Sequence, residues 1–180
     1  MEEYLEFAEY IARQAGTIML KYFYRDHGAS YKSDDTIVTL ADKEINSFLI
    51  EKVKEKYPTH AVDGEEEQSG TSKYVWVCDP VDGTAMYARH VPVAVFSLAF
   101  VVDGTPVVGV VYDPFTDNLY SAMKGKGAYK NNEKISVNTF ELSNKESVAH
   151  YDMWPHADYN IYDFIKERIN EKGIAPSVRE

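Results

Sequence analysis

The stretch Trp76–Thr84, which reads Trp-Val-Cys-Asp-Pro-Val-Asp-Gly-Thr, constrains the fold and chemistry of this chain more than any other. The β-prone run that enters it, Tyr74–Cys78, predicts a short strand buried on both faces, although such a run alone does not exclude a buried helix. Pro80 has no backbone N–H and is expected to end the strand. Asp79 and Asp82 are therefore predicted to share a tight turn, close enough to bind one hard cation.

The residues after Asp82 favour phosphate binding. Gly83 allows the backbone to come close to a ligand, and Thr84 can open a short helix whose free N–H groups bind a phosphate. The alternative is that Asp-Pro and Asp-Gly are ordinary turn dipeptides, with Asp82 or Thr84 as a helix N-cap. The acidic cluster Asp63–Glu67 lies upstream of the strand and favours a cation- and phosphate-binding site over the interpretation as ordinary turns.

A third stretch, Val38-Thr39-Leu40-Ala41-Asp42, precedes the acidic cluster. With the three stretches in this order, the sequence resembles the inositol monophosphatase family of metal-dependent sugar and nucleotide phosphatases. The hallmarks of that family are a Thr-x-x-Asp at a helix start, a Gly-Glu-Glu and an Asp-Pro-hydrophobic-Asp-Gly-Thr, and all are present here. The resemblance covers the stretch from about Lys32 to Val137.

The resemblance implies a Mg²⁺-dependent phosphomonoester hydrolase that acts on a small sugar, inositol or nucleotide phosphate. In the implied mechanism Asp42 accepts a proton from the attacking water with Thr84 as its relay. The implied metal ligands are four groups: Glu65, Asp79, the backbone carbonyl of Val81, and Asp82. The N–H groups of Gly83 and Thr84 would hold the phosphate, and Lys32 and Glu66 are further candidates for the site.

Several of these residues also have a purely structural interpretation. Thr39 is predicted to be the N-cap of a helix with Asp42 at the N3 position, where a carboxylate can close a capping box. Lys32 lies in a polar segment, Arg25–Asp35, that reads as a loop, and a solvated lysine is sufficient there. Composition alone likewise makes Glu66 part of a solvated acidic loop.

The hydrophobic periodicity predicts an α+β fold. One amphipathic helix is expected from Glu2 to about Phe23 and a second from Leu40 to about Tyr57. Beyond Thr84 the pattern predicts strands joined by turns such as Asp103-Gly104, with the first of them beginning at Val91. We therefore expect two long helices packed on an antiparallel sheet.

Residues 1–140 are expected to form this metal- and phosphate-binding domain, and residues 141–180 the truncated beginning of a second α/β domain with a strand at Ser147–Tyr151 and a helix at Tyr159–Glu171. The family resemblance implies two or three Mg²⁺ ions and a later Trp-Asp motif that completes the second metal site. Because this sequence contains no Trp-Asp, we expect that site to be incomplete and the activity impaired. The alternative hypothesis is a non-catalytic metal-binding or interaction module derived from the family.

The formal charge of −10 argues against binding to nucleic acid backbones. The single cysteine, Cys78, suits a reducing compartment and is expected to be a small buried hydrophobe. With neither a basic, apolar leader nor a long apolar run, the expectation is a soluble cytoplasmic protein without membrane contact. The expected partners are a small phosphorylated metabolite and a second copy of the chain, since open strand edges invite dimerisation.

Overall fold

The α+β class is confirmed by the structure, a computed structural model that describes residues 1–25, 28–33 and 36–139. Residues Met1–Ser136 form one compact unit. Within it, two long helices pack on a sheet of eight strands. The domain expected at 141–180, with its strand and helix, lies outside the described residues, so that division stays a prediction.

The two long helices begin where the sequence predicts. Helix α1 is Glu2–Phe23 and helix α2 is Leu40–Lys56, which ends one residue before the expected Tyr57. Each turns an apolar stripe towards the sheet, and the core between the layers contains these buried side chains of α1, α2 and the sheet: Ile11, Met19, Ile45, Leu49, Trp76, Phe96 and Phe100. Burial of that stripe accounts for the helical periodicity of the sequence.

The large sheet contains eight strands: β3 (Ala61–Gly64), β4 (Gln68–Ser69), β5 (Tyr74–Asp82), β6 (Val95–Val102), β7 (Thr105–Asp113), β8 (Asn118–Met123), β9 (Gly127–Lys130) and β10 (Glu133–Ile135). Their order is β10-β9-β8-β7-β6-β5-β3-β4. From β5 to β10 the strands form the expected antiparallel meander, although β6 begins at Val95 and not at Val91. One pair departs from an all-antiparallel sheet: β3 and β5 are parallel, with Gly64 opposite Cys78. The segment between them, which includes β4, returns the chain to the end of the sheet where β3 began.

Strand β5 corrects three expectations. It continues through Pro80 to Asp82, because its pairing with β6 shifts register between Asp79 and Asp82, and proline is tolerated at such an irregularity. Asp79 and Asp82 therefore lie within the strand, on either side of this irregularity, and not on a tight turn at its end. Its burial also alternates, so the described residues cover one face of β5 and leave the other partly exposed. Trp76 is fully buried under the helices, whereas Val77 on the opposite face is 39% exposed.

Three short elements complete the described part of the chain: β1 (Ser30–Tyr31), β2 (Ile37–Val38) and the helix α3 (Thr84–Tyr87). Strand β1 lies inside the segment Arg25–Asp35 that was expected to be a loop, and it pairs antiparallel with β2, which follows that segment. The turn at Asp103-Gly104 joins β6 to β7 as predicted, with both residues at positive φ. In the described residues, no helix has the length and apolar character needed to cross a membrane.

Candidate active site

The parallel pairing of β3 and β5 brings the acidic cluster beside the Asp-Pro-Val-Asp-Gly-Thr stretch. Both strands run towards the same edge of the sheet, and the N–H of Glu65 donates a hydrogen bond to the carbonyl of Cys78 at 3.1 Å. The residues that follow the paired positions, Glu65 and Asp79, therefore lie side by side. The acidic loop and the Asp-Pro-Val-Asp-Gly-Thr stretch, which are separate in the sequence, therefore meet at this edge of the sheet.

Asp79 is the most strongly perturbed of the described carboxylates at this edge. Burial raises its pKa to about 7, and the negative charges of Glu65 and Asp82 together with a hydrogen bond to the Glu65 side chain act in the same direction. The N–H of Val81 donates to Asp79 Oδ1 at 3.2 Å and partly opposes that rise in pKa. Three carboxylates thus crowd one end of the sheet, which favours either a shared proton or a bound cation.

Lys32 lies on the other side of the acidic loop. Its Nζ is 3.1 Å from Glu65 Oε1 and 2.5 Å from Glu66 Oε1. The side chain of Glu66 is only 12% exposed, so neither residue is the freely solvated group that composition alone suggests. Lys32 therefore neutralises part of the negative charge of the loop.

The turn after β5 is held by its own polar groups. The hydroxyl of Thr84 donates to the carbonyl of Val81 at 2.8 Å, so this predicted metal ligand already accepts one hydrogen bond. Gly83 adopts φ +97°, and a Cβ there would lie 3.3 Å from Ala94 Cα. The first backbone hydrogen bond of α3 runs from the N–H of Met86 to the carbonyl of Gly83. The N–H groups that precede Met86 lie in the first turn, where backbone donors have no acceptor within the helix.

Asp42 lies at the start of α2, opposite this turn. As predicted, it closes a capping box, since its Oδ2 accepts the backbone N–H of Thr39 at 2.8 Å and the Thr39 hydroxyl at 2.5 Å. The carboxyl is 1% exposed, and burial raises its pKa to about 6 against the opposing effect of the Thr39 hydrogen bonds. Its free oxygen Oδ1 is 3.5 Å from Thr84 Oγ1, at the outer limit of a hydrogen bond.

The donor set suits a hard divalent cation in its chemistry. Glu65, Asp79 and Asp82 offer only oxygen, and a cation would stabilise the ionised form of Asp79 against the burial and the neighbouring negative charges that raise its pKa. In residues 1–25, 28–33 and 36–139, however, no three His, Cys, Asp or Glu side chains are already arranged to hold a metal ion. Metal binding would therefore require the carboxylates to replace their mutual hydrogen bond with bonds to the ion.

Two residues of this region were missed by sequence reasoning. Asn46 is 1% exposed in α2, and its side-chain amide bonds to the backbone of the loop at Glu66 and Glu67. Gly64 lies directly against that amide. The only sequence signal was a polar residue on the buried face of an amphipathic helix, on the same side as Ala41 and Ile45.

The architecture and the site together define an α+β domain with an oxygen-rich site at the ends of two parallel strands. The profile of the inositol monophosphatase family matches residues 1–176, and this chain belongs to that family. Inositol monophosphatase 1 of Solanum lycopersicum is 34% identical over 145 residues, which are 77% of this chain and 53% of the tomato protein.

Solved structures of the same family have the same fold. The Thermotoga maritima IMPase matches with a TM-score of 0.72 and 28% identity over 76% of this chain and 54% of that chain. SaIMPase-II, whose structure contains bound 2′-AMP, matches with a TM-score of 0.73 and 30% identity over 94% of this chain and 63% of that chain. The chain therefore spans about half of the length of the curated relative and somewhat more of the second structure.

Proposed function

We propose that this chain carries the metal- and phosphate-binding part of a Mg²⁺-dependent phosphomonoesterase. The observation that carries the proposal is the meeting of Glu65 and Asp79 at the ends of two parallel strands, with the Asp42 carboxyl facing Thr84 across the same edge. Membership of the inositol monophosphatase family supports it. The described contacts give no support to the alternative of a non-catalytic module.

In this proposal Glu65, Asp79 and the carbonyl of Val81 would hold one Mg²⁺, and Asp79 and Asp82 would hold a second. When bound, such ions lower the pKa of water and stabilise the negative charge of a phosphoryl group during displacement. The side chains must be ionised to bind, so Asp79, with a pKa of about 7, has to lose its proton first. Lys32 would hold Glu66 in place beside the ligands.

Asp42 is the proposed proton acceptor. A base works best when its pKa lies near the working pH, and burial places the pKa of Asp42 at about 6. Its Oδ2 is occupied by Thr39, which leaves Oδ1 to take a proton that is relayed by the hydroxyl of Thr84. That hydroxyl would rotate from the Val81 carbonyl towards Asp42. The N–H groups of Gly83 and Thr84 would hold the phosphate oxygens.

The proposed substrate is a small sugar, inositol or nucleotide phosphate. Bound 2′-AMP in SaIMPase-II supports a nucleotide phosphate as one candidate. We further propose that the protein works in the cytoplasm as a homodimer. The free, buried Cys78 supports the cytoplasm, because it is compatible with a reducing compartment.

Calorimetric titration with Mg²⁺ tests the metal site directly. We expect Asp79→Asn to abolish measurable Mg²⁺ binding and Asp82→Asn to weaken it, because each replaces a negatively charged carboxylate of the site with a neutral amide. Asp103→Asn, in the exposed turn between β6 and β7, is the matched control and should bind as the unmodified chain does. Equal binding by all of these proteins would refute the proposed site.

Phosphate release tests the reaction. Inositol phosphate, fructose bisphosphate and adenosine bisphosphate should be assayed with and without Mg²⁺. We expect Asp42→Asn to lower kcat by about 100-fold or more, since a general base contributes a factor of this size. The asparagine retains an oxygen for Thr39, so the variant should fold, and an unchanged kcat would exclude Asp42 as the base.

A further inference from the structure

Three hydrogen bonds join the side chain of Asn46 to the backbone of the acidic loop. Its Oδ1 accepts the N–H groups of Glu66 and Glu67, each at 3.2 Å, and its Nδ2 donates to the carbonyl of Glu67 at 3.0 Å. The side chain is 1% exposed. A buried amide is tolerated only when its donors and acceptors are satisfied, and here the loop backbone supplies the partners.

Gly64 is matched to this amide. A Cβ at Gly64 would lie 2.1 Å from Asn46 Oδ1, and the next nearest atoms, at 2.7 Å and 2.8 Å, also belong to Asn46. Asparagine is a poor helix former compared with alanine, so α2 gains nothing from it locally. The glycine and the asparagine therefore form a unit that brings the helix and the loop into direct contact.

The same loop is fixed from the opposite side by β5. The N–H of Glu65 donates to the carbonyl of Cys78, and the Glu65 side chain is hydrogen bonded to Asp79. The backbone at Glu65 is thus held by its own hydrogen bond to Cys78 and by the hydrogen bonds that Asn46 makes to the next two residues, Glu66 and Glu67. Rotation of the loop would carry the Glu65 carboxylate away from Asp79.

We propose that Asn46 is a positioning residue, which acts through the loop backbone to keep the Glu65 carboxylate beside Asp79 for metal binding. The inference rests on the proposed function, because it assigns a purpose to a contact near the proposed Mg²⁺ ligands. Asn46 lies four residues after Asp42 in α2, so the two project from the same side of that helix. One turn of helix thereby carries both the proposed base and the anchor of the loop.

The affinity for Mg²⁺, measured by calorimetry, tests the proposal. We expect Asn46→Ala to weaken binding about 10-fold to 100-fold, the usual effect of removing a group that orients a metal ligand. Asn131→Ala is the matched control, because the Asn131 amide also bonds to backbone, at Leu119 and Asp117. The control variant loses similar side-chain-to-backbone hydrogen bonds at a distant part of the sheet and should keep the Mg²⁺ affinity of the unmodified chain.

A double-mutant cycle separates positioning from loss of stability. Gly64→Ala should weaken Mg²⁺ binding as much as Asn46→Ala does, because the new methyl group displaces the amide. The combined variant should bind no worse than Asn46→Ala alone, since the atoms that the methyl group meets are then absent. Additive losses, or an affinity of Asn46→Ala equal to that of the unmodified chain, would overturn the proposal.

Amide hydrogen exchange in the unmodified, metal-free chain makes the test independent of whether the variants fold. The N–H groups of Glu66 and Glu67 should be protected before any metal is added, because Asn46 holds them. Exchange at the rate of an unstructured peptide would overturn the positioning role. If the unmodified chain binds no Mg²⁺ while these amides are protected, the proposed metal function and its positioning residue fail together, whereas unchanged binding by Asn46→Ala removes the positioning role alone.

Discussion

The indole N–H of Trp76 donates a hydrogen bond to Nδ1 of His60 at 3.2 Å. Trp76 is fully buried, and the His60 ring is stacked on Tyr57 and Phe100 with centroid distances of 4.8 Å and 5.3 Å. For Nδ1 to accept this bond, it must be unprotonated. The arrangement therefore requires a neutral imidazole at His60, which lies partly exposed beside the buried Trp76 ring.

The first prediction is that protonation of His60 destabilises the fold. Burial lowers the pKa of His60 below its ordinary value of 6.5, so the stability that it contributes is full above that value and is lost as the pH falls through the folded pKa. Protonation also leaves the buried Trp76 N–H without its acceptor, which costs about 1–3 kcal/mol.

The measurement is the difference in free energy of unfolding between the unmodified chain and His60→Phe, determined from about pH 7.5 to about pH 5. Because both proteins contain the same carboxylates, taking the difference cancels the contribution of carboxylate titration to the free energy of unfolding. We expect the advantage of the unmodified chain to shrink on acidification. A difference that stays constant with pH would show that the pKa of His60 is the same in the folded and unfolded states, and so would contradict the lowered pKa.

The second prediction concerns Asp79. Its folded pKa of about 7 lies above the ordinary aspartate value of 3.8, so the folded state binds the proton more tightly and stability falls as the pH rises from 3.8 to about 7. Asp79→Asn should therefore be more stable than the unmodified chain at neutral pH, by about 2 kcal/mol after allowance for partial exposure.

Chemical denaturation with a metal chelator present, at about pH 4 and about pH 8, measures this effect. The gain of Asp79→Asn should be small at the acidic pH, where the aspartate is protonated in the folded state. Asp103→Asn is the control for removal of an exposed carboxylate. A gain of equal size at both pH values would contradict the raised pKa.

The sequence indicated the helices and the chain segments of the site because those signals are local. The capping box at Thr39 and Asp42 and the turn chemistry around Gly83 are determined by residues a few positions apart. The parallel pairing of β3 with β5 and the path of β5 through Pro80 depend on which strands become neighbours, which no local pattern records. Asn46 was missed for the same reason, because its partners lie about 20 residues along the chain.

The third prediction is that Gly16→Ala destabilises the protein, although alanine is normally better than glycine in a helix by about 1 kcal/mol. Gly16 is buried in α1, and a Cβ there would lie 2.3 Å from Tyr112 Cε1. The Tyr112 ring cannot easily move, because its hydroxyl donates to Asp117 at 2.9 Å and Arg13 lies over the ring at 4.8 Å. We expect a loss of about 1–3 kcal/mol from overpacking.

Urea denaturation of Gly16→Ala, Tyr112→Ala and the combined variant checks this explanation. Once the ring is removed, the Gly16→Ala change should become much less destabilising, because only the 3.1 Å approach to Pro114 Cβ then opposes the gain in helix propensity. If Gly16→Ala is equally destabilising with and without the Tyr112 ring, contact with that ring is not the cause.

The last prediction separates backbone strain from close packing at the turn after β5. Gly83 and Gly104 both have positive φ, at +97° and +74°, so alanine should be strained at each by about 1–2 kcal/mol. No atom of the described residues lies within 4 Å of a Cβ at Gly104, whereas a Cβ at Gly83 would meet Ala94 Cα at 3.3 Å. Gly83→Ala should therefore destabilise the fold more than Gly104→Ala does.

The two substitutions should also differ in their effect on function. Gly83 precedes Thr84, so relief of the contact with Ala94 would shift the Thr84 hydroxyl from its 3.5 Å approach to Asp42. We expect Gly83→Ala to lower kcat for phosphate release under conditions in which both variants are folded, and Gly104→Ala to leave kcat unchanged. Circular dichroism verifies folding, and equal kcat values would show that the turn tolerates the methyl group without moving Thr84.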